Sequence, residues 1–575
     1  MAQKVIILGG GVAGMSAAHE LIERRFAVEV YDKHRLYAGG KARSVNVPGT
    51  NKLNPDKYLP GEHGFRFFPG FYKHVIDTMK RIPIDKPDQT VFDNLVAVDR
   101  MGLFRAGKAP INTIVNFPQS YADILDIISV MHADTGLTRE EQALFSKKIW
   151  QLMSTCYDRR LNEYETWSWW DFLDAENQST TYQALLATGI TRTLVAANAR
   201  TASTKTDGDI FLQLLFNMGN PGVHTDRVLN GPTNDVWINP WLAYLRGKGV
   251  TYNANKSVRE LAIADNKITG VWVEEYHRGI PERTLITGDY YVLAVPVEVA
   301  AKLMSEDVLQ ADPNLNGIIE LAKSVAWMNG IQFYLSEKVD IVHGHCLYAD
   351  SPWALTSISQ LQFWKDYDIE TRFNGQVKTI LSVDISNWDE PGILEANGKK
   401  RARECTYAQI KNEVWAQLKA SLNVNGAEIL RDDQILHWYI DHDITVGHGE
   451  DDKNKEPLLV NTVDSWKLRP EADTAIPNLF LASDYVRTYT DLATMEGANE
   501  AARRAVNALI KVSGAEAEPC QIWNLHEPNI LAGIRNKDQE RYDKGLPFQF
   551  YVPPFIKVLQ VIIALVRKAF GKKRI

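Results

Sequence analysis

The spacing of a few residues in this chain suits two kinds of chemistry. The first is the binding of phosphates and ribose. Gly9-Gly10-Gly11-Val12-Ala13-Gly14 is a G-x-G-x-x-G turn. Gly9 permits a tight bend, Gly11 lets a backbone approach a pyrophosphate, and Gly14 lets a helix pack on a strand. Val12 and Ala13 open that helix, whose unpaired amides and partial positive charge face the phosphates. Asp32, followed by Lys33, stands where a carboxylate accepts hydrogen bonds from a ribose diol. The second is proton transfer beside a flat ring. Gly61-Glu62-His63-Gly64-Phe65-Arg66-Phe67-Phe68-Pro69-Gly70-Phe71-Tyr72 mixes glycines with aromatics. That composition suits a loop laying apolar surface beside a ring system, and His63 in it is a candidate acid or base. Glu496, in Thr494-Met495-Glu496-Gly497, is a second candidate acid, at a helix start whose amides can stabilise an anionic ring. A structural role is the alternative for each: a packed histidine, and a helix-start acid.

Such residues need a strand, a helix and a second strand to hold them. Lys4-Val5-Ile6-Ile7-Leu8, apolar and closed by glycines, predicts a buried parallel strand. Met15, Ala18, Leu21 and Ile22 recur at helical spacing after it, while Glu20, Glu23, Arg24 and Arg25 fall on a solvated face. Ala27-Val28-Glu29-Val30-Tyr31 predicts the second strand, ending at Asp32. This is the order of a dinucleotide site.

Gly39-Gly40-Lys41-Ala42-Arg43-Ser44 follows after a short linker. It resembles the GG-[RK]-x-x-[ST] segment of the flavin amine oxidase and carotene desaturase superfamily, which wraps FAD. The resemblance places Gly39, Gly40 and Lys41 on FAD and Arg43 against its pyrophosphate. Gly61 to Tyr72 is similar to the segment that follows in plant and cyanobacterial carotene desaturases and in hydroxysqualene dehydroxylases. That puts Gly61, Arg66 and Phe67 near the flavin ring. Val258 matches the family's valine at the adenine end, and Asp289 to Pro296 resembles its D-x-V-V-x-A-x-P strand. Asp484 matches the acid that binds the ribityl or pyrophosphate part, and Met495, Glu496 and Gly497 match a segment that approaches the flavin. Asn499-Glu500-Ala501 departs from the family's serine-glycine. Many amine oxidases carry a lysine on the strand corresponding to Gly330 to Leu335, holding a water against the flavin; this chain has none there.

The fold class expected is therefore α/β: a Rossmann-like FAD-binding domain interleaved with an α+β substrate domain, plus a C-terminal amphipathic membrane-binding helix. The FAD-binding parts are expected at 1–92, 225–300 and 456–515, with the substrate domain at 93–224, mostly helical, and 301–455. Residues 516–575 form an extension. Thr166 to Phe172 reads as a core of indoles, with a lining for an apolar substrate as the alternative.

At 575 residues the chain exceeds one ordinary core, and 45% hydrophobic with 23% charged residues is globular composition. A net charge of -7 without a basic stripe speaks against nucleic acid. Four scattered cysteines suggest neither a disulfide framework nor a cysteine metal site, which fits reduced cytosol. Strand formation within four residues of the start leaves no room for a signal peptide. His442, His448, Glu450 and Asp451 lie close in sequence but match no ligand spacing, so a solvated loop is expected and no metal.

Phe555, Val558, Leu559, Ile562, Ile563, Val566 and Phe570 fall on one helical face, with Lys572, Lys573 and Arg574 beyond. That helix spans roughly 24 Å, short of the ~30 Å hydrocarbon core, so it is expected to lie in the interface on the cytoplasmic side of a membrane. Docking on the protein's own core is the alternative. The resemblance implies an FAD-dependent desaturase or dehydrogenase of an apolar isoprenoid lipid, such as a carotene precursor or a squalene derivative. With no second G-x-G-x-x-G for a nicotinamide, quinone or oxygen is the expected electron acceptor. An amine oxidase and a non-catalytic prenyl-lipid carrier are the alternatives.

Overall fold

A computed structural model describes residues 2–52, 54–118, 123, 135–189, 197–277, 280–441, 443–446 and 453–551. The framework runs, in chain order, β1 (Lys4–Leu8), α1 (Val12–Glu23), β2 (Ala27–Tyr31), α2 (His74–Met79), β3 (Arg100–Arg105), β4 (Lys108–Ile114), β5 (Thr251–Asn253) and β6 (Tyr290–Leu293). It continues with β7 (Asn329–Leu335), β8 (Gly344–Tyr348), β9 (Leu355–Ser359), β10 (Thr379–Ile385), β11 (Ile435–Ile440), β12 (Leu479–Leu481) and α3 (Met495–Ser513).

The first sheet is parallel throughout, in the order β12-β6-β1-β2-β5, with Val5 opposite both Val28 and Tyr290. Covered on both faces, β1 buries Val5, Ile6, Ile7 and Leu8 completely. Those four side chains contribute a gross ~6–12 kcal/mol, most of it offset by the entropy of ordering the chain. Helix α3 lies against α1, and Asn499 ties them by donating to Ser16 Oγ at 2.8 Å and Thr78 Oγ1 at 2.9 Å. The sheet draws strands from residues 4–31, 251–293 and 479–481, so one nucleotide fold is assembled from stretches hundreds of residues apart.

The second sheet has the order β11-β7-β10-β9-β8-β3-β4 and is antiparallel except where β8 runs alongside β3. Strands β3 and β4 correct the expectation that the chain turns helical from residue 93. They form a hairpin that turns at Gly107, whose φ is +68°. β3 pairs with β4 on one edge and on the other with Gly344–Tyr348, too distant for a local pattern to reveal. Past residue 135 the expected helices are present, among them Arg139–Ser154, opened by a capping box of Thr138 and Glu141. Trp169 and Phe172 are fully buried and form a core, whereas Trp167 is 45% exposed. The proposed interface helix at 555–570 and the cluster of His442, His448, Glu450 and Asp451 lie outside the described residues.

Candidate active site

A long cavity of about 360 Å³ follows the carboxyl ends of β1, β2 and β6 and ends at the Gly61–Tyr72 loop. Ligands of open α/β sheets bind at this edge. Gly9, Gly11, Val12 and Ala13 line its middle, Asp32, Lys33 and Val258 one end, and His63, Phe65, Arg66, Phe67, Tyr72 and Met495 the other. Gly39, Gly40, Lys41 and Asp484 complete the wall between.

The turn at the centre has no space for side chains. Gly9 has φ +109°, and a Cβ there would stand 2.4 Å from the Ala294 carbonyl oxygen. A Cβ on Gly14 would stand 1.8 Å from the Gly9 oxygen, so Gly14 acts from behind the cavity by letting α1 approach β1. Gly11 differs: a Cβ on it would meet nothing nearer than Gly40 Cα at 3.7 Å. The open space there is what a pyrophosphate would occupy. Asp32 is fixed by the amides of Gly10 and His34, which donate to its two oxygens at 2.7 and 2.8 Å. Each oxygen keeps a second lone pair for a ribose hydroxyl.

Sequence reasoning missed Glu298, whose carboxylate oxygens are buried in the cavity wall with no hydrogen-bond donor among the described residues. Burial raises its pKa although Lys41 lies 3.4 Å away and opposes this. An acceptor that meets Lys41 in an ion pair but has no hydrogen-bond partner among the described residues fits the hydroxyl-rich middle of a dinucleotide. Its signal was thin: one acid just beyond the strand ending Ala294-Val295-Pro296.

Arg43 departs from expectation. Its guanidinium does not line the cavity but turns to Glu456, donating to that carboxylate at 3.0 and 2.8 Å, and to Asp443. Burial opposes a charged Glu456, yet His34, Arg43 and Lys33 hold its carboxyl far below the usual range. Glu456 itself lines the cavity, so Arg43 reaches the site through its partner. Among the described residues, His63, Asp441 and Glu456 are the group close enough to share a metal ion. Arg43, 3.7 Å from Asp441 and bonded to Glu456, already brings positive charge to both carboxylates.

His63 lines the cavity, with its ring against Asp441 and Asn329. Nδ1 lies 2.9 Å from Asp441 Oδ2, and Asn329 Nδ2 lies 2.9 Å from Nε2. Nδ1 donates to Asp441, while Asn329 Nδ2, also 3.1 Å from Nδ1, lies against the imidazole rather than along the Nε2 lone pair, so these contacts do not remove His63 as a candidate acid or base. Glu496 departs from expectation. The amides of Lys73 and His74 donate to its Oε1 at 2.7 and 2.8 Å, the amide of Val75 to Oε2 at 3.0 Å, and His74 Nδ1 lies 2.8 Å from Oε1. Glu496 thus supplies the acceptors for the start of α2, and it does not line the cavity. Gly497 donates its amide to Thr494 Oγ1 at 3.1 Å, and Gly61 packs beneath Tyr439; neither faces the cavity.

Behind the ring end, Arg66, expected near the flavin, is accompanied by two carboxyls that sequence reasoning missed, Glu62 and Asp384. Arg66 is bound to backbone oxygens, donating to Gly64 and Lys41 at 2.7 Å each. Glu62 is buried beside it and accepts from the Thr233 amide at 2.9 Å, Thr233 Oγ1 at 2.8 Å and Gln360 at 3.4 Å. Asp384 completes the group: burial pushes its carboxyl up to about 7, while Arg66, the Phe65 amide and His345 pull downward. A lone aspartate inside Thr-Ile-Leu-Ser-Val-Asp-Ile was the available signal.

The model of the flavin-containing amine oxidoreductase family matches residues 12–510, and the chain belongs to that family. It is 22% identical over 518 residues to 15-cis-phytoene desaturase of Synechococcus elongatus, covering 88% of this chain and 96% of the relative. A shorter match, 35% over 83 residues, covers 14% of this chain and 13% of the zeta-carotene desaturase of Arabidopsis thaliana. Among solved structures, putrescine oxidase bound to putrescine superposes with TM-score 0.58 at 12% identity, over 89% of this chain and 99% of that one. Cyclohexylamine oxidase from Brevibacterium oxydans gives 0.58 at 12%, over 90% and 100%. The chain is an FAD-dependent oxidoreductase.

Proposed function

We propose that this FAD-dependent oxidoreductase is a dehydrogenase of an apolar isoprenoid lipid, such as a carotene precursor or a squalene derivative, passing electrons to a membrane quinone or oxygen. The observation that carries the reading is the strand beside the ring end. β7 receives the loop there, Gly330 N donating to His63 O at 2.8 Å, and its Asn-Gly-Ile-Gln-Phe-Tyr-Leu offers no lysine to hold a water against a flavin. The match to a phytoene desaturase along most of both chains supports the same reading.

When bound, FAD supplies a hydride acceptor. The residues then divide the work. Gly11, Val12 and Ala13 would present backbone to the pyrophosphate, Asp32 would accept from the ribose, and Glu298 would accept from hydroxyls between them, all of them lining the cavity. Phe65, Phe67 and Tyr72 exclude water from the ring end and offer flat apolar surface to a polyprenoid chain. Arg66 places a fixed positive charge beside them, suited to stabilising negative charge that develops there. Residues 555–570 are proposed to lie in a membrane interface, giving a greasy substrate and a quinone a route to the protein.

An amine is the second reading, favoured by the match of residues 12–510 to the flavin-containing amine oxidoreductase family. Two measurements separate them. Lipid extracts of cells with and without the active gene should differ in one accumulating isoprenoid precursor, and the purified holoenzyme should bleach anaerobically with it. Peroxide release with an amine, and no change in any isoprenoid, would overturn the lipid reading. Removing residues 552–575 should abolish sedimentation with vesicles containing anionic lipid; retention of binding would refute the interface helix.

A further inference from the structure

We propose that Asp384 takes up a proton when the flavin is reduced, acting through Arg66, so that charge brought to the ring end of the cavity is neutralised from behind its wall. Three ionisable side chains meet there, and Arg66 is the one that reaches the cavity. Glu62 and Asp384 stand behind it, so with every group ionised the trio carries a net negative charge. One carboxyl is poorly provided for. Glu62 has three donors, whereas Asp384 has the Phe65 amide and its Oδ1 is buried with no partner among the described residues.

The carboxyl fits only because residues 64 and 330 lack side chains. A Cβ on Gly64 or Gly330 would lie 2.5 or 2.8 Å from Asp384 Oδ1. The groups facing it are few. Arg66 and Glu62 come from the loop above, and His345 from β8, ion-paired with Asp226. The residue across on β9 is Thr356, which is uncharged, and the one on β7 is Gly330. His63, at the root of the loop, turns to Asp441 instead.

Arg66 therefore couples the two sites. Burial disfavours its charge, Glu62 first and then Asp384 favour it from behind, and its side chain lines the cavity in front. A hydride equivalent, two electrons and one proton, leaves an added negative charge at the ring. That charge offsets the field of Arg66 at the Asp384 carboxyl and so raises its affinity for a solvent proton. The balance is two electrons and one proton to the flavin, and one proton from solvent to Asp384. Since the carboxyl of the resting protein already sits near 7, the exchange falls within the working pH range.

The test is the pH dependence of the flavin midpoint potential in the holoenzyme, titrated with dithionite from pH 5.5 to 9 without substrate. Below about pH 7 Asp384 is protonated in both redox states and adds nothing. Above it, the extra proton steepens the line by tenfold in the reduction equilibrium per pH unit, about 30 mV for a two-electron couple. Asp384→Asn removes the added slope, and Asp384→Glu retains it. A wild-type line that does not steepen above pH 7, or one that steepens equally in Asp384→Asn, would overturn the proposal. Should Asp384→Asn fail to fold, reduced-minus-oxidised infrared spectra of the wild-type holoenzyme decide: a gained protonated-carboxyl band, shifted in D₂O, is expected, and its absence refutes. The proposal rests on the flavin site and not on the choice of substrate, so either reading can fail alone.

Discussion

Replacing Glu496 separates a structural acid from a catalytic one. In Glu496→Ala the amides of His74 and Val75, both buried, lose their acceptor, along with the half-buried amide of Lys73. An unsatisfied buried donor costs roughly 1–3 kcal/mol, so two give about 4 kcal/mol. Unfolding entropy of ~2.1 cal/mol/K per residue, over a cooperative unit of the whole chain, is ~1.2 kcal/mol/K, and the melting temperature should fall by about 3 °C. Glu496→Gln keeps a carbonyl oxygen for Lys73 and His74 but loses the acceptor for Val75 and the charge at the start of α2. That is about 2 kcal/mol, or a drop of roughly 2 °C. The assay is holoenzyme melting followed by flavin release, beside turnover measured well below the transition. Stability should fall in the order wild type, Gln, Ala, with turnover per bound flavin unchanged. A Glu496→Gln protein that melts like wild type but turns over a hundredfold slower, ~2.7 kcal/mol in barrier, would refute the reasoning.

Gly11→Ala has room in the apoprotein, since its Cβ meets nothing closer than 3.7 Å, but it intrudes where a pyrophosphate would lie. FAD affinity measured by titration of the apoprotein should drop ten- to hundredfold, for an overpacking cost of ~1–3 kcal/mol, while the apoprotein melts as before; unchanged affinity would remove Gly11 from the site. Asp207 is buried with both carboxylate oxygens unpartnered among the described residues, and burial, with Glu165 nearby, raises its pKa well above the usual range. The folded state therefore holds its proton at pH values where the unfolded chain has lost it, so this residue's contribution falls as pH rises above about 3.9. Asp207→Asn should raise the melting temperature more at pH 8 than at pH 5, and an equal or opposite effect would show that the carboxyl is ionised in the fold.

The resemblance at Gly39 to Ser44 and Thr494 to Gly497 led to the right cofactor class, but proximity in sequence misassigned individual side chains. Arg43 and Glu496 stand in the expected segments, yet both spend their charges on protein partners, Glu456 and the start of α2. The hairpin of β3 and β4 is local, but it joins its sheet only where β3 pairs with β8, whose residues lie more than two hundred positions away.

The sequence by itself determined the strand, glycine turn, helix and acid of residues 4–32, because each is set by neighbours along the chain: periodic burial, a turn only glycine can make, and a helix start. It also carried enough of the scattered FAD segments to name the family. Only the tertiary structure decided which charged groups face the cofactor and which lie behind it. Glu298, Glu456 and Asp384 owe their environments to partners from other elements, and whether a carboxylate is paired, orphaned or protonated depends on those distances and on burial.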